Sequence, residues 1–180
     1  MRKIKVSIKG TAPLLQHKMS IGQEAQLASK TKKSTGQDRG DKPEEYLYKV
    51  GNKICQPAEH ILQAIIKRLG GYKIQGKGKK TYLEMGKGSL NITPDMIPHK
   101  TQEWEADSRT VVIKATRGRV VRIRPKINDW ELDFIIELIN DELPIEVIKC
   151  ALDDAGREGG IGDYRPRFGR FIVTSFQEVK

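Results

Sequence analysis

Ala155-Gly156-Arg157-Glu158-Gly159-Gly160-Ile161-Gly162-Asp163-Tyr164-Arg165-Pro166-Arg167-Phe168-Gly169-Arg170 lies directly after a helix-like run and directly before a strand-like run. Five glycines stand there among four arginines and two aromatic residues. Glycine permits positive φ and lets a backbone approach its surroundings closely, while arginine supplies a planar fork of donors that matches phosphate. The stretch therefore reads as a loop suited to an extended, negatively charged partner. Gly156 is read apart from the rest, as the glycine that ends the preceding helix in the left-handed conformation. Asp153, Asp154 and Asp163 are carboxylates that compete with such a partner for the arginines.

Working outward from this loop, Val147, Ile148, Ala151, Leu152 and Ala155 give one apolar face to a helix that starts near Pro144, and Phe171, Val173 and Phe176 predict a final strand. Trp130, Leu132, Phe134, Ile136 and Leu138 alternate with Glu131, Asp133 and Glu137, which is the period of a half-buried strand. Ile4, Val6 and Ile8 alternate with Lys3, Lys5, Ser7 and Lys9 in the same way, until Gly10-Thr11-Ala12-Pro13 breaks the run and Leu14-Leu15 turn back to the core. Pro57-Ala58-Glu59 opens another helix, with proline preorganised for the first turn and a carboxylate complementing the dipole. Ile61, Leu62, Ile65, Ile66 and Leu69 form its buried face, and Gly70-Gly71 stops it. Leu90 and Ile92 mark a short strand closed by Thr93-Pro94-Asp95. This order predicts an α+β, ferredoxin-like β-α-β-β-α-β sheet of the RNA-recognition-motif kind, with two helices on one face and the other face partly open.

The remaining segments read as insertions into one domain spanning residues 1–180. Residues 20–44 are too polar to fold alone and predict a mobile insertion. Residues 46–50 and 53–56 form a short hairpin across Gly51-Asn52. Residues 70–126 form a basic region that ends in a second hairpin, with strands over 110–115 and 119–124 and a turn at Arg117-Gly118. The net charge of +10 resides in the interval from Lys67 to Lys126, where Lys and Arg outnumber Asp and Glu by ten. A surplus of this kind is the electrostatic footprint of a polyanion binder. No apolar run reaches membrane-spanning length, so the expectation is a soluble, cytoplasmic chain with no membrane partner. Cys55 and Cys150 lack metal-ligand spacing and are expected as buried free thiols. Gly76-Lys77-Gly78 lacks the spacing of a nucleotide phosphate loop, which removes ATP and GTP, and no cofactor is called for.

Residues 72–82 interleave Lys77, Lys79 and Lys80 with glycine and with Tyr72 and Tyr82, the mixture of charge and π faces that single-stranded nucleic acid requires. In the return strand of the second hairpin, Arg122 and Arg124 share one side with Val120 while Arg119 lies on the other, and with Arg117 at the turn they suggest a track for phosphates. Arg165, Arg167, Arg170 and the amides near Gly159, Gly160 and Gly162 are the phosphate candidates of the last loop, with Tyr164 and Phe168 as stacking rings. His17 and His60 are the only candidates for acid–base work, His99 being the third histidine of the chain.

The first strand into Gly10 and Pro13-Leu14-Leu15, the helix entry Ile54-Cys55-Gln56-Pro57-Ala58-Glu59-His60-Ile61, and the loop Gly159-Gly160-Ile161-Gly162-Asp163-Tyr164-Arg165-Pro166-Arg167-Phe168-Gly169 together resemble the RAMP superfamily. These are the RNA-recognition-motif-like proteins that build the backbone of CRISPR effector complexes; the chain is also similar to small RAMP-like proteins of phages and mobile elements. The resemblance implies a non-catalytic protein that binds single-stranded RNA, or single-stranded DNA, beside other effector subunits or as copies stacked head to tail along the strand. Glu131, Asp133 and Glu137 offer an acidic surface for such stacking. The processing branch of the superfamily implies the alternative of a metal-independent endoribonuclease that uses His17 or His60 as its base. A third expectation is a protein-interaction role.

Overall fold

Alternation between apolar side chains and lysine gives the first strand one oily side, and that side is wholly buried. The computed structural model describes residues 1–19, 42–112 and 118–179. In chain order these form β1 (Arg2–Gly10), β2 (Leu14–Leu15), a 3₁₀ turn at Pro43–Tyr46, β3 (Lys49–Val50), β4 (Lys53–Pro57), α1 (Ala58–Leu69), α2 (Leu83–Ser89), β5 (Leu90–Thr93), β6 (Met96–Pro98), β7 (Glu105–Val112), β8 (Arg119–Ile127), β9 (Glu131–Leu138), α3 (Ile145–Asp154) and β10 (Phe171–Val179). Residues 20–41 of the polar insertion at 20–44 and the hairpin tip at 113–117, Arg117 included, lie outside the described residues, while Pro43 and Glu44 enter the 3₁₀ turn.

The main sheet is antiparallel in the order β10-β1-β9-β5. Its register sets Ile4 against Ile136 and Val6 against both Phe134 and Phe176. Ile61, Ile65 and Leu69 of α1 and Ile148, Ala151 and Leu152 of α3 close over this inner face. Each isoleucine or leucine taken from water there is worth about 1.5–3 kcal/mol. The other face carries Lys3, Lys5, Ser7 and Lys9 beside Glu137, Ile135, Asp133 and Glu131. Lys3 pairs with Glu137 at 3.3 Å, Lys9 with Glu131 at 3.2 Å, and Lys100 with Asp133 at 3.1 Å. The carboxylates of β9 are thus paired with lysines of their own chain. Two small sheets, β2-β8-β7 and β3-β4-β6, complete the architecture.

Several elements depart from the sequence reading. Gly156 does not end its helix: the chain runs on through a π segment at Ala155–Gly159, and the left-handed turn falls at Gly160, φ +69°. Gly156 is buried because any Cβ there would strike the Phe171 carbonyl. Helix α2 was not foreseen, since two of its seven residues are glycines that disfavour helix; Gly86 is required where Leu69 leaves no room for a side chain. The second hairpin begins earlier and ends later than its apolar core suggested. Cys55 is buried, but Cys150 is exposed, because α3 turns Ile148, Ala151 and Leu152 inward and leaves Cys150 on the solvent side.

Candidate nucleic-acid interface

The loop at 155–170 is folded down onto the segment that follows β1. Thr11 N–H donates to the Arg170 carbonyl at 2.8 Å, Gly169 N–H to the Pro13 carbonyl at 2.8 Å, and Asp163 N–H to the Leu15 carbonyl at 2.8 Å. Two of its glycines are demanded by this packing. Gly162 has φ +77° and a Cβ there would sit 2.5 Å from the Leu15 oxygen; Gly169 has φ +73° and a Cβ would collide with the Ile161 oxygen. Gly160 N–H, a candidate for phosphate, already donates to the Ala155 carbonyl at 2.7 Å. The glycines therefore fit the loop to its own protein.

What the loop turns outward is its arginines. Arg165, Arg167 and Arg170 are exposed, and Arg170 Nε caps the Pro166 carbonyl at 2.8 Å. Tyr164 is 41% exposed. Phe168 is buried beneath the Arg109 guanidinium, 4.7 Å from its ring centre, and is closed to a stacking base.

Arg124 is buried as well. Its Nε donates to Asp163 Oδ2 at 2.5 Å, and its guanidinium lies 5.9 Å from the Tyr164 ring centre. Burial, the largest influence on Asp163, pushes its carboxyl up, but the Tyr164 N–H and the Arg124 guanidinium outweigh it and hold the group below the usual carboxylate range. Arg122 is half-buried, 3.5 Å from His17 Nε2, while Arg119 is exposed. The parity read in β8 is correct, but the side with Arg122 and Arg124 faces the loop and braces it.

Lys77, Lys79 and Lys80 sit on an exposed turn pinned by the Lys73–Thr81 bridge, with no carboxylate partner among the described residues. Tyr72 and Tyr82 turn inward against the core. Tyr72 Oη donates to Asp154 Oδ2 at 2.5 Å, and this bond pushes its pKa to about 12.

Across from the loop stands the last turn of α1. Between them runs a groove of about 750 Å³ whose walls include Lys67, Arg68, Gly159, Tyr164 and Arg165. Arg68 is held by Glu158 at 2.9 Å. A second cleft of about 170 Å³ adjoins it, sharing Gly162 and Asp163, and His17 and His60 both line it. The structure thus brings together two histidines that nothing in the sequence connects. It also adds Gln16, Tyr48 and Gln56, which sequence reasoning passed over; their one signal is a glutamine inside each apolar run, Leu14-Leu15-Gln16 and Ile54-Cys55-Gln56. His99 is buried behind this cleft, edge-on to Trp130, with its Nε2 3.4 Å from Gln16 Nε2. Among the described residues no cluster of His, Cys, Asp or Glu is placed to hold a metal ion, and no helix is long and apolar enough to cross a membrane.

This fold has a solved counterpart. A chain of the Type III-B Cmr-beta bound to cognate target RNA, determined by cryo-EM, superposes with a TM-score of 0.59 at 14% identity. The match covers 99% of this chain and 61% of that one, so this chain spans about three fifths of its neighbour's length. No family model matches the sequence, and no curated protein does. At such identity the likeness is one of fold.

Proposed function

We propose that this chain is a non-catalytic single-stranded RNA-binding protein, a RAMP-type subunit of a CRISPR-like ribonucleoprotein, with the strand lying in the groove between α1 and the loop at 155–170. The observation that carries the reading is the groove itself, with Lys67 and Arg165 on its walls and no carboxylate paired with either among the described residues. Arg167, Arg170 and Arg119, and Lys77, Lys79 and Lys80, are further exposed cations, and Tyr164 offers an exposed ring for a base. Such contacts position a strand without reading sequence.

The fold likeness to a chain of the RNA-bound Cmr-beta supports RNA and neighbouring subunits as partners; copies of this chain stacked along the strand are the further step of the proposal. The succession β1, α1, β5, β9, α3, β10 with strand order β10-β1-β9-β5 supports a ferredoxin-like core in one domain, carrying the basic region as an insertion. The open sheet face is a weaker platform than the groove. RNA-recognition motifs stack bases on aromatic residues of that face, whereas the described positions here hold lysine–carboxylate pairs and no ring.

Fluorescence anisotropy with labelled single-stranded RNA, single-stranded DNA and duplex across a salt series tests the reading. The expected result is salt-steep binding to single-stranded RNA, with the slope of log K against log salt falling by about 1.4 in Arg165→Ala/Arg167→Ala, about 0.7 per phosphate contact removed. Absence of binding at low salt overturns it. The endoribonuclease reading gains one observation, the meeting of His17 and His60 in a single cleft; shortened RNA after metal-free incubation would establish it.

A further inference from the structure

The side cleft holds a hydrogen-bond chain whose direction is fixed from one end to the other. Tyr48 N–H donates to Gln16 Oε1 at 3.0 Å, which orients the Gln16 amide. Gln16 Nε2 donates to the Cys55 carbonyl at 2.8 Å and to Gln56 Oε1 at 3.0 Å, which orients the second amide. Among the described residues Gln56 Nε2 then meets His60 Nδ1 alone, at 2.7 Å, so Nδ1 is the acceptor. A neutral imidazole that accepts at Nδ1 carries its proton at Nε2. Burial first and the Arg165 charge second push the His60 pKa below its usual value, so the neutral form prevails. His60 therefore presents a fixed N–H donor, and among the described residues no acceptor meets it.

The walls around that donor suit a flat ring. His17 is held flat on Tyr46, ring centres 4.7 Å apart, and Tyr48 meets His60 edge to face at 5.5 Å. At about 170 Å³ the cleft is smaller than the ~300–1,000 Å³ pockets that hold drug-sized ligands, which fits a single heterocycle. It opens beside the groove, with Gly162 and Asp163 common to both.

We propose that this cleft takes one nucleobase from the strand in the groove and holds it by a hydrogen bond from His60 Nε2–H to an acceptor on the base. The inference rests on the strand-binding reading above and adds to it a point of base capture. Uracil offers that donor its keto oxygens and adenine its ring nitrogens, so the donor serves either base. The same tautomer disqualifies His60 as the base of a ribonuclease, because its outward nitrogen is already protonated.

Anisotropy titrations with oligouridylate, oligoadenylate and a fully abasic strand of equal length, on wild type and His60→Phe, provide the test. One directed hydrogen bond predicts that His60→Phe binds each homopolymer about fivefold more weakly than wild type. Its affinity for the abasic strand stays at the wild-type level, which also shows that the variant is folded. Self-stacking of oligoadenylate is the same for every protein and cancels from the comparison. Affinity of His60→Phe for both homopolymers equal to that of wild type overturns the base cleft and leaves strand binding standing. Failure to bind any strand at low salt overturns both, and shortened oligouridylate overturns the assignment of His60 as a pure donor.

Discussion

Replacing His99 by phenylalanine should change how the protein responds to acid. His99 is 3% exposed, packs edge-on to Trp130, and has no partner for Nδ1 among the described residues. Burial alone pushes its pKa from 6.5 to about 4. Below pH 6.5 the unfolded chain takes up a proton that the folded chain refuses until about pH 4, so stability rises with pH across that window. The slope is about 1.4 kcal/mol per pH unit, which makes the total loss on acidification about 3 kcal/mol. The assay is urea denaturation at stepped pH, followed by tryptophan fluorescence, in wild type and His99→Phe. Carboxylates and His60 contribute equally to both proteins and drop out of the difference. Wild type should lose about 3 kcal/mol more than the variant between pH 7 and pH 4. Parallel profiles would refute the buried neutral imidazole.

Asp163→Ala strips the buried Arg124 guanidinium of its partner. Since Asp163 is itself 36% exposed, the loss should be about 2–3 kcal/mol, below the ~3–5 of a wholly buried pair, and Arg124→Met added to it should restore part of the stability. In wild type this contribution is present above pH 3.8 and is lost as pH falls through the lower folded pKa, which an acid titration of stability in Asp163→Asn against wild type reads. Gly169→Ala should cost at least about 2 kcal/mol, since left-handed strain adds to collision with the Ile161 oxygen. Gly51→Ala, also at positive φ but with open space around it, should cost only about 1 kcal/mol; equal melting temperatures for the two variants would defeat the packing argument.

The main strands and both long helices were legible because their signals are local: alternation in β1 and β9, a 3.6-residue apolar stripe in α1 and α3. The loop at 155–170 was legible as a special element, but not in its purpose. A glycine is the same letter whether it bends a chain, meets a ligand or makes room for Phe171, and only the folded neighbour decides. For β8 the period told which arginines share a side, and nothing local told which side faces Asp163. The Gln16–Gln56–His60 chain was invisible for a different reason. A polar residue within an apolar run is legible as an oddity, but its partner lies far along the chain and is set by tertiary contact.

The paired outer face of the main sheet has a kinetic consequence. On a chain of net charge +10, a face where Lys3, Lys9 and Lys100 are answered by Glu137, Glu131 and Asp133 is electrically quieter than the groove side. On the strand-binding reading, a polyanion that comes within about a Debye length is drawn more to the groove side than to this one, so the two molecules are turned toward each other before they touch. Neutralising the ladder as Glu131→Gln/Asp133→Asn would unmask its lysines, and encounters would then be shared between a productive face and an idle one.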